Sequence, residues 1–127
     1  MALGKQVGQF SSKLISLTLG PGSGTAMTVQ ANMEGTFSGE MGEGTYALTL
    51  HVVYETSMKS GTWSQYGIGT GKDGSFGFRG QGTWEEIGTN KWRYRGTDQL
   101  SDGSINAVEF EGDWATRTWA GKLYEWS

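Results

Sequence analysis

The sequence predicts an all-β fold: an antiparallel up-and-down meander closed into a single small barrel of about eight strands. Three observations predict it. From Gly42 to Asp113 the chain is a run of alternating segments, GEGTYALTLHVVYE, SGTWSQYGIGTG, GSFGFRGQGTWEEI, NKWRYRGTD and GSINAVEFEGD, each closed by turn residues. Six Trp, five Tyr and five Phe suit pleated strands better than helices. Twenty-two glycines against one proline, with no G-X-Y period, suggest bent strands or close backbone approach rather than collagen. A meander that buries one face must sandwich or close, and closure also removes the edge strands.

The first twelve residues, Met1–Ser12, are polar and read as a frayed segment ahead of the barrel. Lys13–Leu19 alternates, with Ile15, Leu17 and Leu19 on one face, and reads as the first strand. Gly20-Pro21-Gly22-Ser23-Gly24 is a loop, since Pro cannot donate to a ladder and Gly supplies positive φ. Thr25–Ser38 resumes alternation, with Met27, Val29, Ala31 and Met33 on one face. After a turn at Gly39–Glu43, Tyr46, Leu48, Leu50, Val52 and Tyr54 form the inner face of a long strand and leave His51 outside or at a rim. The triplet Gly-Thr-aromatic recurs at Gly35, Gly44, Gly61 and Gly82 with irregular spacing, so it is no solenoid repeat.

Charge sets the registers further on. If Ser101-Asp102-Gly103 is a hairpin loop with Gly at its left-handed position, Arg95 faces Glu109, Arg93 faces Glu111, Lys91 faces Asp113 and Tyr94 faces Phe110. With Gly88-Thr89-Asn90 as a loop, Glu85 faces Arg93 and Trp84 faces Tyr94. Phe76, Phe78, Trp84, Trp92, Tyr94, Val108 and Phe110 then point inward. Arg79, Gln81, Glu85, Arg93, Arg95, Glu109 and Glu111 point outward. The Lys72-Asp73-Gly74 turn stays open. A two-residue loop pairs Trp63 with Trp84 and sets glycines against Phe76 and Phe78, whereas a three-residue loop turns Tyr66 and Ile68 inward. Trp119, Gly121 and Leu123 continue the inner face in the last strand, with Lys122 near Glu111 outside.

The 127 residues suit one domain. A net charge of −3 argues against a general nucleic-acid or acidic-membrane binder. Trp92-Arg93-Tyr94-Arg95 interleaves base and aromatic, but its Arg and aromatic residues fall on opposite faces. Without Cys there is neither a disulfide framework nor thiolate chemistry, and a single His speaks against structural zinc, so no metal or cofactor is expected. MALGKQVGQFSSK lacks the apolar core of a signal peptide and no apolar run reaches about 18 residues, which makes a cytoplasmic location the expectation.

Candidate chemistry sits on the inner face. Gly80, Gly82 and Gly96 share it with Trp84, Trp92, Tyr94 and Phe78. The missing side chains either permit curvature or leave an apolar pocket for a small molecule. Asp98 has inner parity, with Asn106 as its cross-strand neighbour; a carboxyl beside an apolar cavity has a raised pKa and suits acid–base work, while one at the barrel end is solvated and structural. Tyr46, Tyr66 and Tyr94 are candidate hydrogen-bond donors to a bound carbonyl, or core residues. His51 falls with outward residues, and no G-x-S-x-G turn accompanies it. Gly69-Thr70-Gly71-Lys72 lacks the first glycine and the helix of a P-loop.

With SGTW, KDGS, GTWE and SDGS at strand ends, the stretch from about Gly35 to Trp126 resembles the small single-domain bacterial barrels grouped with the allene oxide cyclase barrel, and more distantly the dirigent and lipocalin barrels. That resemblance implies one apolar molecule held inside the barrel, isomerisation or cyclisation steered by shape and a few polar groups, and a homodimer or homotrimer. It carries no catalytic residue across. The first reading is thus a cofactor-free isomerase, cyclase or lyase for an apolar or aromatic ligand, oriented or protonated by Tyr66, Tyr94 and Asp98 and walled by Trp84 and Trp92. The second is a carrier or carbohydrate-binding barrel, for which Trp63 and Trp126 are the exposed aromatic candidates.

Overall fold

Alternation gives each segment an apolar and a polar side, and a ladder of such segments curls until its ends meet. The computed structural model describes residues 3–22, 26–55 and 59–126. Its eight strands are β1 Leu3–Pro21, β2 Met27–Gly39, β3 Gly44–Tyr54, β4 Ser60–Gly71, β5 Gly74–Gly88, β6 Lys91–Leu100, β7 Ile105–Asp113 and β8 Thr118–Trp126. They form a closed antiparallel barrel in chain order, with β8 pairing back onto β1.

Closure carries a large stagger. A path of paired residues leaves β1 at Phe10, runs through Gly121, Phe110, Tyr94, Trp84, Gly61, Tyr54 and Met27, and re-enters β1 at Pro21. The offset is eleven residues along β1, one of them a bulge at Ile15 between Leu14 and Ser16. Such a shear tilts the strands and leaves β1 to overrun β8.

The charge-derived registers hold. Arg95 faces Glu109, Arg93 faces Glu111, Lys91 faces Asp113 and Tyr94 faces Phe110; Glu85 faces Arg93 and Trp84 faces Tyr94. Arg95 Nε donates to Glu109 Oε2 at 2.9 Å. Gly103, at φ +92°, supplies the left-handed position of the β6–β7 turn.

Five details differ from the sequence reading. Gly20 and Pro21 of the expected loop belong to β1 and pair with Thr28 and Met27; Ser23, Gly24 and Thr25 lie outside the described residues. Residues 3–12 are not frayed: they form the first half of β1 and pair with β8, placing Phe10 and Ser12 inward; Met1 and Ala2 lie outside the described residues. The bulge breaks the supposed common face, so Ile15 is unpaired while Leu17 faces Ala31 and Leu19 faces Val29. The β4–β5 turn is a two-residue loop with Gly71 opposite Gly74, so Trp63 pairs with Gly82 and Trp84 with Gly61, not with one another. Lys122 lies opposite Glu109 rather than beside Glu111.

The interior is filled by aromatic rings lying over inward glycines. Phe78 covers Gly67, Phe76 covers Gly69, Trp119 covers Gly112 and the Trp84 indole covers Gly61. The glycine-emptied face read from the sequence is therefore mostly occupied by neighbouring strands. Gly82 and Gly96 are a separate case: they face each other across β5 and β6, and a Cβ on either would meet backbone atoms of the opposite strand. Because backbone cannot step aside as a ring can, Gly96→Ala is expected to destabilise by roughly 2–3 kcal/mol. Gly69→Ala, which meets only the ring of Phe76, is expected to cost less; urea unfolding midpoints of the two variants check the order.

Candidate functional site

The barrel has two mouths. One is ringed by the β2–β3, β4–β5 and β6–β7 turns, the other by the β1–β2, β3–β4, β5–β6 and β7–β8 turns. Between them Leu50, Trp63, Trp84, Tyr94 and Phe110 are all buried. Trp63 and Tyr94 both contact Phe110, the first edge-on at 5.1 Å and the second stacked at 4.5 Å.

At the first mouth a cleft of about 50 Å³ opens between aromatic walls. Phe37, Phe76, Phe78, Tyr46 and Phe10 follow one another edge to face or tilted, with ring centroids 5.5–6.3 Å apart. Three polar groups line this cleft: Asp98, Gln65 and Tyr46. Asp98 reaches inward because β6 alternates and because its neighbour Gly80 has no side chain; a Cβ there would stand 2.6 Å from Asp98 Oδ1. Gln65 Nε2 donates to Asp98 Oδ1 at 3.3 Å. Burial pushes the Asp98 carboxyl up to about 7, against the smaller opposing effect of the Gln65 hydrogen bond. The Tyr46 hydroxyl is buried and makes no hydrogen bond of good geometry; burial pushes it up to about 12, against a smaller opposing effect of the Ser12 hydroxyl, which itself donates to the Trp119 carbonyl.

An apolar cleft with a few convergent polar groups is the usual form of a small-molecule site. Its enclosed part is far below the several hundred Å³ common for such sites, so it takes the head of a ligand and leaves the rest on the Phe37 and Phe76 rim. Near neutral pH the carboxyl exchanges its proton readily, which suits it as hydrogen-bond donor, acid or base. The unpartnered phenol offers a second donor.

Of the eight residues expected to form a site, the structure gathers Asp98, Tyr46 and Phe78 here. Tyr66 is elsewhere: on the outer face and 59% exposed, because the two-residue β4–β5 loop gives it outward parity. Tyr94 belongs to the buried middle, where its hydroxyl accepts from Trp119 Nε1 at 3.4 Å and burial raises its pKa. Trp84 is buried, donating to the Val53 carbonyl at 3.1 Å. Trp92 lines the opposite mouth. Asn106 sits opposite Asp98 and half-buried, with no hydrogen bond between them. Gln65, which holds Asp98, was missed; its inward parity was available once the two-residue loop was chosen.

The second mouth holds an apolar hollow of about 230 Å³ lined by Leu17, Leu19, Trp92 and Trp114 among others. On the outer face a polar groove of about 310 Å³ runs over β4, β5 and β6, with Ser64, Tyr66, Arg79, Gln81, Thr97 and Gln99 along it. His51 lies outward too, its ring edge-on to Tyr66 at 6.4 Å. Trp63, an exposed candidate in the carbohydrate reading, is buried, while Trp126 is 49% exposed. No group of three or more His, Cys, Asp or Glu comes together among the described residues, and none of their helices is long and apolar enough to cross a membrane.

Fold and site together define a small closed antiparallel β-barrel with a polar-floored aromatic cleft at one mouth. No family model, curated protein or solved structure matches the chain.

Proposed function

We propose that the barrel binds a small apolar or aromatic molecule bearing a carbonyl or hydroxyl, with that group on Asp98 and Tyr46 and its ring against Phe76 and Phe78. The observation that carries this reading is the pair of buried polar groups in the cleft, one titrating near neutrality and the other without a partner. A buried unpartnered hydroxyl costs about 1–3 kcal/mol, and a ligand acceptor would relieve that cost. The finer reading is cofactor-free isomerisation: Asp98 as carboxylate takes a proton from a carbon beside the carbonyl, Tyr46 donates to the developing enolate oxygen, and the same carboxyl returns the proton to another carbon.

Acetophenone is a suitable probe. Its addition is expected to shift amide resonances of residues around Gln65, Phe78 and Asp98, with Tyr46→Phe weakening binding about three- to tenfold, one hydrogen bond's worth. Exchange of its methyl protons into deuterated water should be faster with protein than without, and Asp98→Asn should remove the acceleration. Ethylbenzene binding as tightly as acetophenone would overturn the hydrogen-bonding assignment; exchange unaffected by Asp98→Asn would overturn the isomerase assignment and leave a carrier.

A second reading rests on the outer groove. Tyr66 stands exposed among Ser64, Arg79, Gln81, Thr97 and Gln99, whose side chains have no hydrogen-bond partner among the described residues. An aromatic face flanked by free donors and acceptors suits a sugar ring. Resonance shifts confined to outward residues of β4–β6 on adding soluble oligosaccharides would favour it.

A further inference from the structure

Closure leaves the last third of β1 paired on one side only. β1 pairs with β8 from Leu3 to Lys13, where Lys13 meets Thr118, the first residue of β8. One more bond follows, Leu14 N–H to the Arg117 carbonyl at 3.0 Å, and then the β7–β8 turn carries the neighbouring chain away. From Ile15 to Pro21, β1 has β2 on one side and no backbone partner among the described residues on the other. The cause is the shear: β1 overruns the end of β8, and β8 cannot follow without a longer β7–β8 hairpin.

This free edge carries no charge to guard it. Segment 14–21 reads LISLTLGP and holds no charged residue; only the Ile15 bulge and Pro21 bound it. All of Ile15, Ser16, Leu17, Thr18 and Leu19 are exposed, so neither face of the arm is covered. Ile15 and Leu19 are 61% and 62% exposed, and Leu17 is 39%. Leu17 and Leu19 also overhang the 230 Å³ hollow at this mouth.

We propose that this edge is the dimer interface: the β1 arm of a second copy of this chain pairs with it, antiparallel and about a two-fold axis near Thr18. Unsatisfied ladder groups call for a strand as occupant. The identical strand is self-complementary, because an uncharged edge brings no like charges together across the axis. Centred on Thr18, the pairing sets Leu17 against Leu19 of the second copy, Ser16 against Gly20 and Ile15 against Pro21. Apolar side chains then meet apolar ones, and the leucines of both copies form one strip across the two hollows. This interface is independent of the Asp98 cleft, which opens at the other mouth.

Sedimentation of the purified full chain is expected to give twice the 13.8 kDa chain mass. The double variant Leu17→Lys, Leu19→Lys is expected to sediment as a monomer with unchanged far-ultraviolet circular dichroism; both positions are exposed, so the monomer should fold. The chain has no Cys, which makes Thr18→Cys a clean reporter. It should oxidise to a covalent dimer at least about tenfold faster than Thr83→Cys, an exposed position on β5. A monomeric or trimeric wild type, a double variant that still dimerises, or equal cross-linking at the two cysteines would each overturn the proposal.

Discussion

Raising the pH from 4 to 8 is expected to destabilise this protein, and Asp98→Asn is expected to abolish most of that loss. Asp98 is 7% exposed, and its folded pKa is raised from 3.8 to about 7. The unfolded chain gives up this proton near 3.8, whereas the folded chain keeps it to about 7. Between those values the unfolded state binds fewer protons, so stability falls as pH rises. The contribution is fully present below pH 3.8, declines by about 1.4 kcal/mol per pH unit, and is spent above about 7. The span amounts to about 4 kcal/mol, a large part of the 5–15 kcal/mol typical of a domain.

The ion pairs Arg95–Glu109 and Arg93–Glu111 lie on the outer face, where such pairs are worth about 1 kcal/mol or less. Asn keeps an oxygen for Gln65 and cannot ionise. The variant should therefore show a nearly flat profile from pH 5 to 8 and exceed the wild type at pH 8 by up to a few kcal/mol. Urea unfolding across that range measures both curves. A wild type equally stable at pH 5 and 8 would show that Asp98 is solvated, and the proton-transfer role would go with it.

Trp63→Ala is expected to be the most damaging truncation, about 3–5 kcal/mol. Its ring sits 3% exposed, edge-on to Phe110 at 5.1 Å and against Gly80 of β5. Its indole N–H donates to two carbonyls, Thr83 at 3.0 Å and Arg95 at 3.2 Å. The backbones of β5 and β6 approach closely at Gly82 and Gly96, and no side chain from those positions can refill the void. Trp63→Phe keeps most of the ring and loses the N–H, so about 1–2 kcal/mol is expected. Denaturant midpoints of the two variants separate the packing part from the hydrogen bond; a loss near 1 kcal/mol for the alanine variant would mean that the core can collapse onto the space.

How far the sequence can be read depends on the range of the physics involved. The β6–β7 register was legible because three unlike-charge pairs and one aromatic pair agree on a single loop length. The β4–β5 register was not, because Gly67, Gly69 and Gly71 give no side chains from which to choose a pairing; Tyr66 consequently entered the candidate site and proved to lie outside. Asp98 was found by parity alone. Its partner Gln65 waited on that loop, and its separation from Tyr94 and Trp92 waited on the height of each residue within the barrel.

Alternation by itself determined that this chain is all-β, that it is a meander and, outside β1 and β4, which residues point inward, since side-chain direction in a strand follows a period of two. Turn residues determined where it reverses. Tertiary structure decided the rest. Shear set which inward residues share a mouth and left the end of β1 with β2 as its one backbone neighbour among the described residues. The contact of non-adjacent segments decided that aromatic rings, rather than a ligand, fill most of the glycine-lined space. Those outcomes depend on how β1 meets β8 at the opposite end of the chain, and pairing between distant segments leaves no local pattern from which to read it.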